Sequence, residues 1–202
     1  MSRNPMLAVG FAASLALGVT AAQAQTSTAP NTMSPPSATN SSSAASPGMK
    51  KASKSEQHFL KEAIEGDLSE MKVGKLAQQN GESQDVKQFG QTLEQDHSAN
   101  LQQAQNLAQQ DGVTPPTAPS AKQMKIYDRL SKEHGAAFDK AFARAMVKDH
   151  KQDIAKFDKQ AKKKDAVGQF AQQTLPTLHK HLQMAQSILH KDEAVGSGAM
   201  SK

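Results

Sequence analysis

Residues 86–108 read Val86-Lys87-Gln88-Phe89-Gly90-Gln91-Thr92-Leu93-Glu94-Gln95-Asp96-His97-Ser98-Ala99-Asn100-Leu101-Gln102-Gln103-Ala104-Gln105-Asn106-Leu107-Ala108. On a helix advancing about 100° per residue, Leu93 and Leu101 flank His97 at roughly −40° and +40°, with Ala104 and Ala108 within about 20° of it. An imidazole therefore sits in the middle of an apolar stripe and points inward. The pattern returns 53 residues later: Lys87, Phe89, Asp96, His97 and Ala108 are matched by Lys140, Phe142, Asp149, His150 and Ala161. Leu93 and Leu101 are answered by Met146 and Ile154. A duplicated amphipathic helix with the same Asp-His pair at the same phase points to a helical bundle.

The rest of the chain agrees. Of 202 residues, 37% are hydrophobic and only 4% aromatic, with no Trp or Cys and one Tyr, while Ala, Gln, Lys and Leu are abundant. That composition favours helix and excludes all-β folds, disulfide frameworks, thiol nucleophiles and thiolate metal sites. The formal net charge is +5. Arg3, an apolar run from Met6 to Ala22 and the small-x-small signal Ala22-Gln23-Ala24 predict a signal peptide over 1–24. The alternative, a retained anchor, is disfavoured by a short run rich in Ala and Gly with no basic cluster after it. Residues 25–54, uncharged as far as Met49 and rich in Ser, Thr, Pro and Ala, predict a disordered linker. Residues 191–202 predict a disordered tail, leaving 55–190 as the folded domain.

Within it, four long segments carry the 3.6-residue period. The first, about 55–79, shows Leu60, Ile64, Leu68 and Met71 along one face and ends at Asn80-Gly81. The second runs from Glu82 or Ser83 to Asp111-Gly112, and the short connection makes the two antiparallel neighbours. Pro115, Pro116 and Pro119 force a crossover, and Ser120 caps a short helix within it that ends near Ser131. A third long helix spans about 136–163 and a fourth about 165–189, where Pro176 is expected to kink or divide it. Gly66 and Gly74 are expected to mark close helix packing.

The run Gly66-Asp67-Leu68-Ser69-Glu70-Met71-Lys72-Val73-Gly74-Lys75-Leu76-Ala77, followed by Phe89 with Asp96-His97, Phe138 with Met146 and Asp149-His150, and Leu175-Pro176-Thr177-Leu178 with His181-Leu182, resembles the bacterial domain-of-unknown-function family 4142. The resemblance spans the whole folded domain. It implies an all-α, ferritin-like antiparallel four-helix bundle with one extra short helix in the crossover, exported to the periplasm or outer envelope, and it implies no activity.

His150 has Met146, Ile154 and Phe157 around it, as His97 has its own apolar neighbours, and His181 lies about 60° from Leu178. Three helices thus each aim one imidazole at the core. Glu70, His97, His150 and His181 fall near the midpoints of their helices, so they are candidates to converge on iron, manganese, zinc or copper. Asp96 and Asp149 are candidate flanking carboxylates. A di-iron ferroxidase centre is disfavoured: it needs two Glu-x-x-His pairs, and Glu94-x-x-His97 occurs once, with Val147 in place of the second Glu. The competing reading is three neutral histidines that merely hydrogen-bond across the core. The lysines at 156, 159 and 162–164 read as a solvated helix end rather than a polyanion site, and no stacking aromatics accompany them, so no nucleic-acid partner is expected. No phosphate loop, dinucleotide fingerprint or hydrolase elbow occurs.

The favoured function is therefore a non-enzymatic binding or envelope-stress module with an unidentified envelope partner or ligand and no transmembrane segment in the mature chain. Homo-oligomerisation is left open. The competitor is a redox or storage protein using a divalent transition metal as cofactor.

Overall fold

The computed structural model describes residues 52–198. The expected signal peptide, nearly all of the expected linker and the last residues of the tail lie outside them. Among the described residues there are five helices and no strand: α1 (Lys54–Asn80), α2 (Gln84–Gln110), α3 (Ala121–Leu130), α4 (Gly135–Ala161) and α5 (Ala166–Gly198). None is long and apolar enough to cross a membrane.

Each boundary has a local cause. Ser53 caps α1 through a reciprocal capping box with Glu56, which also holds the Glu56 carboxyl down at about 2, chiefly through the Ser53 backbone N–H. Folding thus begins just inside the stretch expected to be linker, where Ala52 is already buried. At the end of α2, Val113 N–H donates to the Ala108 carbonyl and Gly112 N–H to that of Gln109, with Gly112 at φ 69°. This Schellman ending needs the left-handed conformation that glycine adopts without strain. Ser120 caps α3 with a second capping box. Pro176 does not divide α5. Pro176 and Gln172 are both exposed, so the Gln172 carbonyl that loses its helical donor can be hydrated. The helix also continues to Gly198, beyond the expected end near Leu189, because extending a formed helix fixes only one residue per added bond.

The long helices form two tight pairs, α1 with α2 and α4 with α5, joined by contacts of α2 with α5 and of α1 with α4; α3 packs across α1 and α4. All four pairings are antiparallel. On α1 and α2, Asp67 meets His97 while Gly74 faces Gly90; on α2 and α5, Asn100 meets Thr174 while Asp85 meets Lys191. On α1 and α4, Glu56 meets Lys163 and Glu62 meets Lys156. On α4 and α5, Phe157 packs against Phe170 while His150 meets His181. The diagonal helices α2 and α4 therefore run parallel, and their repeated residues face each other: Phe89 packs edge-on against Phe142 at 5.6 Å, and the rings of His97 and His150 are 6.1 Å apart.

The core divides in two. One apolar cluster holds Phe59, Leu60, Ile64, Ile154, Phe157, Phe170 and Leu178; the other holds Val73, Phe89, Leu93, Phe138, Phe142 and Met146. Between them in sequence, on all four long helices, lie the buried polar side chains Asp67, Glu70, His97, His150 and His181.

The α1–α2 connection is fixed by a third buried carboxylate, Asp139 of α4, which accepts the backbone N–H groups of Glu82 and Ser83 at 2.9 and 2.8 Å. Closer to the core, a Cβ on Gly74 would stand 2.5 Å from the Gly90 carbonyl oxygen. Gly74 thus packs as expected, whereas a Cβ on Gly66 would meet nothing nearer than the Gln123 side chain at 3.9 Å. Gly66 is not required by packing. Thermal melts should accordingly show Gly66→Ala stabilising the protein by up to about 1 kcal/mol through helix propensity, and Gly74→Ala destabilising it by about 1–3 kcal/mol through overpacking.

Candidate metal centre

Three helices deliver one imidazole each to the middle layer: His97 from α2, His150 from α4 and His181 from α5, exposed by 6%, 2% and 0%. Their ring centroids lie 5.2 to 6.1 Å apart. One nitrogen of each is tied outward. His97 Nδ1–H donates to Asp67 Oδ1 at 2.8 Å, His150 Nδ1–H to the Met146 carbonyl at 3.0 Å, and His181 Nε2–H to Asp96 Oδ2 at 2.9 Å. These partners assign the tautomers, because a carboxylate or carbonyl can only accept.

The other three nitrogens, His97 Nε2, His150 Nε2 and His181 Nδ1, carry lone pairs, and the three rings each bring one nitrogen within 4.8 Å of the other two. His150 Nε2 and His181 Nδ1 are 3.3 Å apart, yet with both N–H groups engaged elsewhere neither has a proton to share. His97 Nε2 is buried with no hydrogen-bond partner. Burial pushes His150 down to about 3, helped by the neighbouring His97 and His181. It pushes His181 down to about 4, against the pull of Asp96. Both are neutral bases at physiological pH.

The anchors are themselves braced. Asn100 Nδ2 donates to both Asp67 oxygens at 3.0 Å, and Asn100 Oδ1 faces Thr174 Oγ1 at 2.8 Å. Thr174 Oγ1 also lies 2.9 Å from the Phe170 carbonyl and shares its one proton between the two. Burial raises the Asp67 carboxyl above its ordinary range, opposed by His97 and Asn100.

The structure thus brings together the three histidines expected from sequence and leaves Glu70 outside their group. Glu70 instead belongs to a carboxylate cluster between α1 and α4. Burial first, then Asp149, Asp153 and Asp67, push it well above the usual carboxylate range, and its Oε2 has no partner. Asp153 is lifted to about 6 by burial and by Asp149. Asp96 does brace a histidine, but it is His181 on α5 rather than its own neighbour in sequence. Among the described residues no hydrogen bond joins Asp149 to an imidazole; Asp149 acts instead on Glu70, whose carboxyl it helps to raise. Glu94 faces away from the triad, paired with Lys75 at 3.4 Å and Gln78 at 3.1 Å.

Asp67, Asn100 and Thr174 are the functional residues that periodicity missed. The α1 stripe drawn through Leu68 and Met71 is out of phase, because both are only half-buried while Asp67 and Glu70 are buried. Following apolar residues alone cannot find an inward face that is polar at its centre.

With this geometry in place, the sequence comparison is decisive for the family: the chain belongs to the domain of unknown function family DUF4142, whose profile matches residues 38–188. No curated protein matches the chain, and no solved structure does.

Glu70 gives the layer a testable pH signature. Its folded-state pKa is raised, so its contribution to stability is complete below about 4.5 and is lost as pH climbs through the folded value. His150 and His181 act oppositely, contributing fully above about 6.5 and losing that contribution as pH falls towards 3 and 4. Glu70→Gln removes only the first effect. Its melting temperature relative to wild type should therefore rise steadily as pH is raised above about 4.5; a difference independent of pH would show Glu70 to be ionised throughout.

Proposed function

We propose that this protein binds one divalent transition metal ion through His97 Nε2, His150 Nε2 and His181 Nδ1. The observation that carries the reading is the convergence of three unprotonated, buried nitrogens whose opposite N–H groups are all pinned. A core histidine layer serving structure alone would turn an N–H of one ring towards a lone pair of the next. Here two lone pairs face each other at 3.3 Å, which is about the separation of two nitrogens bound at 2.0–2.1 Å to a tetrahedral ion. Placing a carboxylate or carbonyl behind each imidazole is also how ligating histidines are held and made more basic.

Three imidazole nitrogens without a carboxylate in the group suit zinc or copper better than manganese, and they do not suit a di-iron ferroxidase. The ligands would leave a position for water or an exogenous group. Two antiparallel helix pairs joined by one crossover, with ligands projecting from mid-helix, support a ferritin-like relationship. We place the protein in the periplasm or envelope, as Ala22-Gln23-Ala24 behind an apolar run supports, acting as a metal-binding or storage module rather than an enzyme.

Calorimetric titration of the full chain, purified without a histidine tag, should give one zinc(II) or copper(II) per chain, tighter than iron(II) or manganese(II). His97→Ala should abolish it. Because His150 and His181 hold protons only towards about 3 and 4, affinity between about pH 7 and 5 should fall no more steeply than one proton per metal, where three ordinary imidazoles would give a dependence approaching three. Failure of all four ions to bind the folded wild type would overturn the proposal.

A further inference from the structure

Two cavities on the α1–α4 side share part of their lining, and the inner one reaches His97. The outer one, about 80 Å³, opens between α1, the N-terminus of α3 and α4, and brings together Glu62, Glu65, Asp149, Asp153, Lys122 and Lys156. The inner one, about 20 Å³, is lined by three of those residues, Glu62, Asp153 and Lys156, and also by Asp67, His97 and Asn100. A volume of that size holds about one water. Phe59, Phe157 and Leu178 close its apolar side.

From this shared lining we propose that the acidic cleft between α1, α3 and α4 is the route by which the metal ion reaches the histidine triad. The inference rests on that reading of the triad. Where the two cavities share their lining, the Lys156 ammonium lies 3.7 Å from Glu62 and 3.6 Å from Asp153. A cation is thus already accommodated between these carboxylates, and the Lys156 side chain is 47% exposed, free to swing into solvent as an ion takes its place. Inward of that point lies His97, the ligand whose Nε2 is unpartnered. Gly66 also lines the inner cavity, and its missing side chain, which packing does not require, leaves the passage open.

The groove between α2 and α5 also touches His97 and is wider, about 200 Å³, but its one carboxylate is Asp96. That group is committed to His181 and lies 3.9 Å from Lys180. Of these two openings, the one between α1 and α4 carries the excess of carboxylates that concentrates divalent cations.

A residue of the passage changes loading and release together and leaves affinity alone, whereas a ligand changes affinity. Stopped-flow mixing of the full chain with cobalt(II), followed by the visible absorption of the bound ion, separates the two. Glu62→Gln combined with Asp153→Asn should slow both association and dissociation about tenfold at low salt, with Kd within about twofold of wild type. Lys156→Met should accelerate both severalfold, and the differences should shrink as salt approaches about 0.5 M. Gln103→Glu, which adds a carboxylate to the α2–α5 groove, should change neither rate. Rates indifferent to Glu62, Asp153 and Lys156, acceleration by Gln103→Glu, or a changed Kd in the double variant would overturn the passage while leaving the triad standing. Absence of any cobalt spectrum with the wild type would overturn the triad itself, and the passage with it.

Discussion

Three imidazole lone pairs pointed at one another across the middle of a helical bundle impose the constraint that organises this protein. A lone pair facing another in a dry core has lost its water without gaining a donor, and unpaired buried polar atoms cost on the order of 1–3 kcal/mol each. Rotating a ring would relieve the conflict at the triad. It would also break the hydrogen bond behind that ring, to Asp67, to the Met146 carbonyl or to Asp96. The strain is held in place from outside.

What holds it also joins the helices. Asp67 on α1 grips His97 on α2, and Asn100 links that pair to Thr174 on α5. Asp96 on α2 grips His181 on α5, which faces His150 on α4. The layer therefore engages all four long helices, while apolar clusters supply the burial on either side. Gly74 against Gly90 brings the α1 and α2 backbones close, within two helical turns of Asp67 and His97. An ion bound at the centre would remove the lone-pair conflict and add its binding free energy to folding, so metal content and stability are linked.

The all-helical architecture was legible because burial and 3.6-residue periodicity coincide along α2, α4 and α5. His97, His150 and His181 were legible for the same reason, each sitting among apolar neighbours on its own helix. Their partners were not. Asp67 and Glu70 occupy the inward face of α1 where that face is polar, and a stripe drawn through Leu68 and Met71 passes beside them. Asp96 braces a histidine 85 residues away and Asp139 caps a turn from another helix, relations set by tertiary register that no local pattern encodes. Pro176 does not divide its helix for a reason equally hidden from local pattern, since its cost depends on whether the orphaned carbonyl faces core or water.

The tautomers of the metal-free protein test the central claim most directly. Long-range proton–nitrogen NMR correlations of the imidazole rings at neutral pH read which nitrogen of each histidine carries its proton. The structure predicts protonation at Nδ1 of His97, Nδ1 of His150 and Nε2 of His181, with the three remaining nitrogens bare. A proton on His181 Nδ1 or His150 Nε2, bridging the two rings as an ordinary hydrogen bond, would contradict it and reduce the triad to a structural layer.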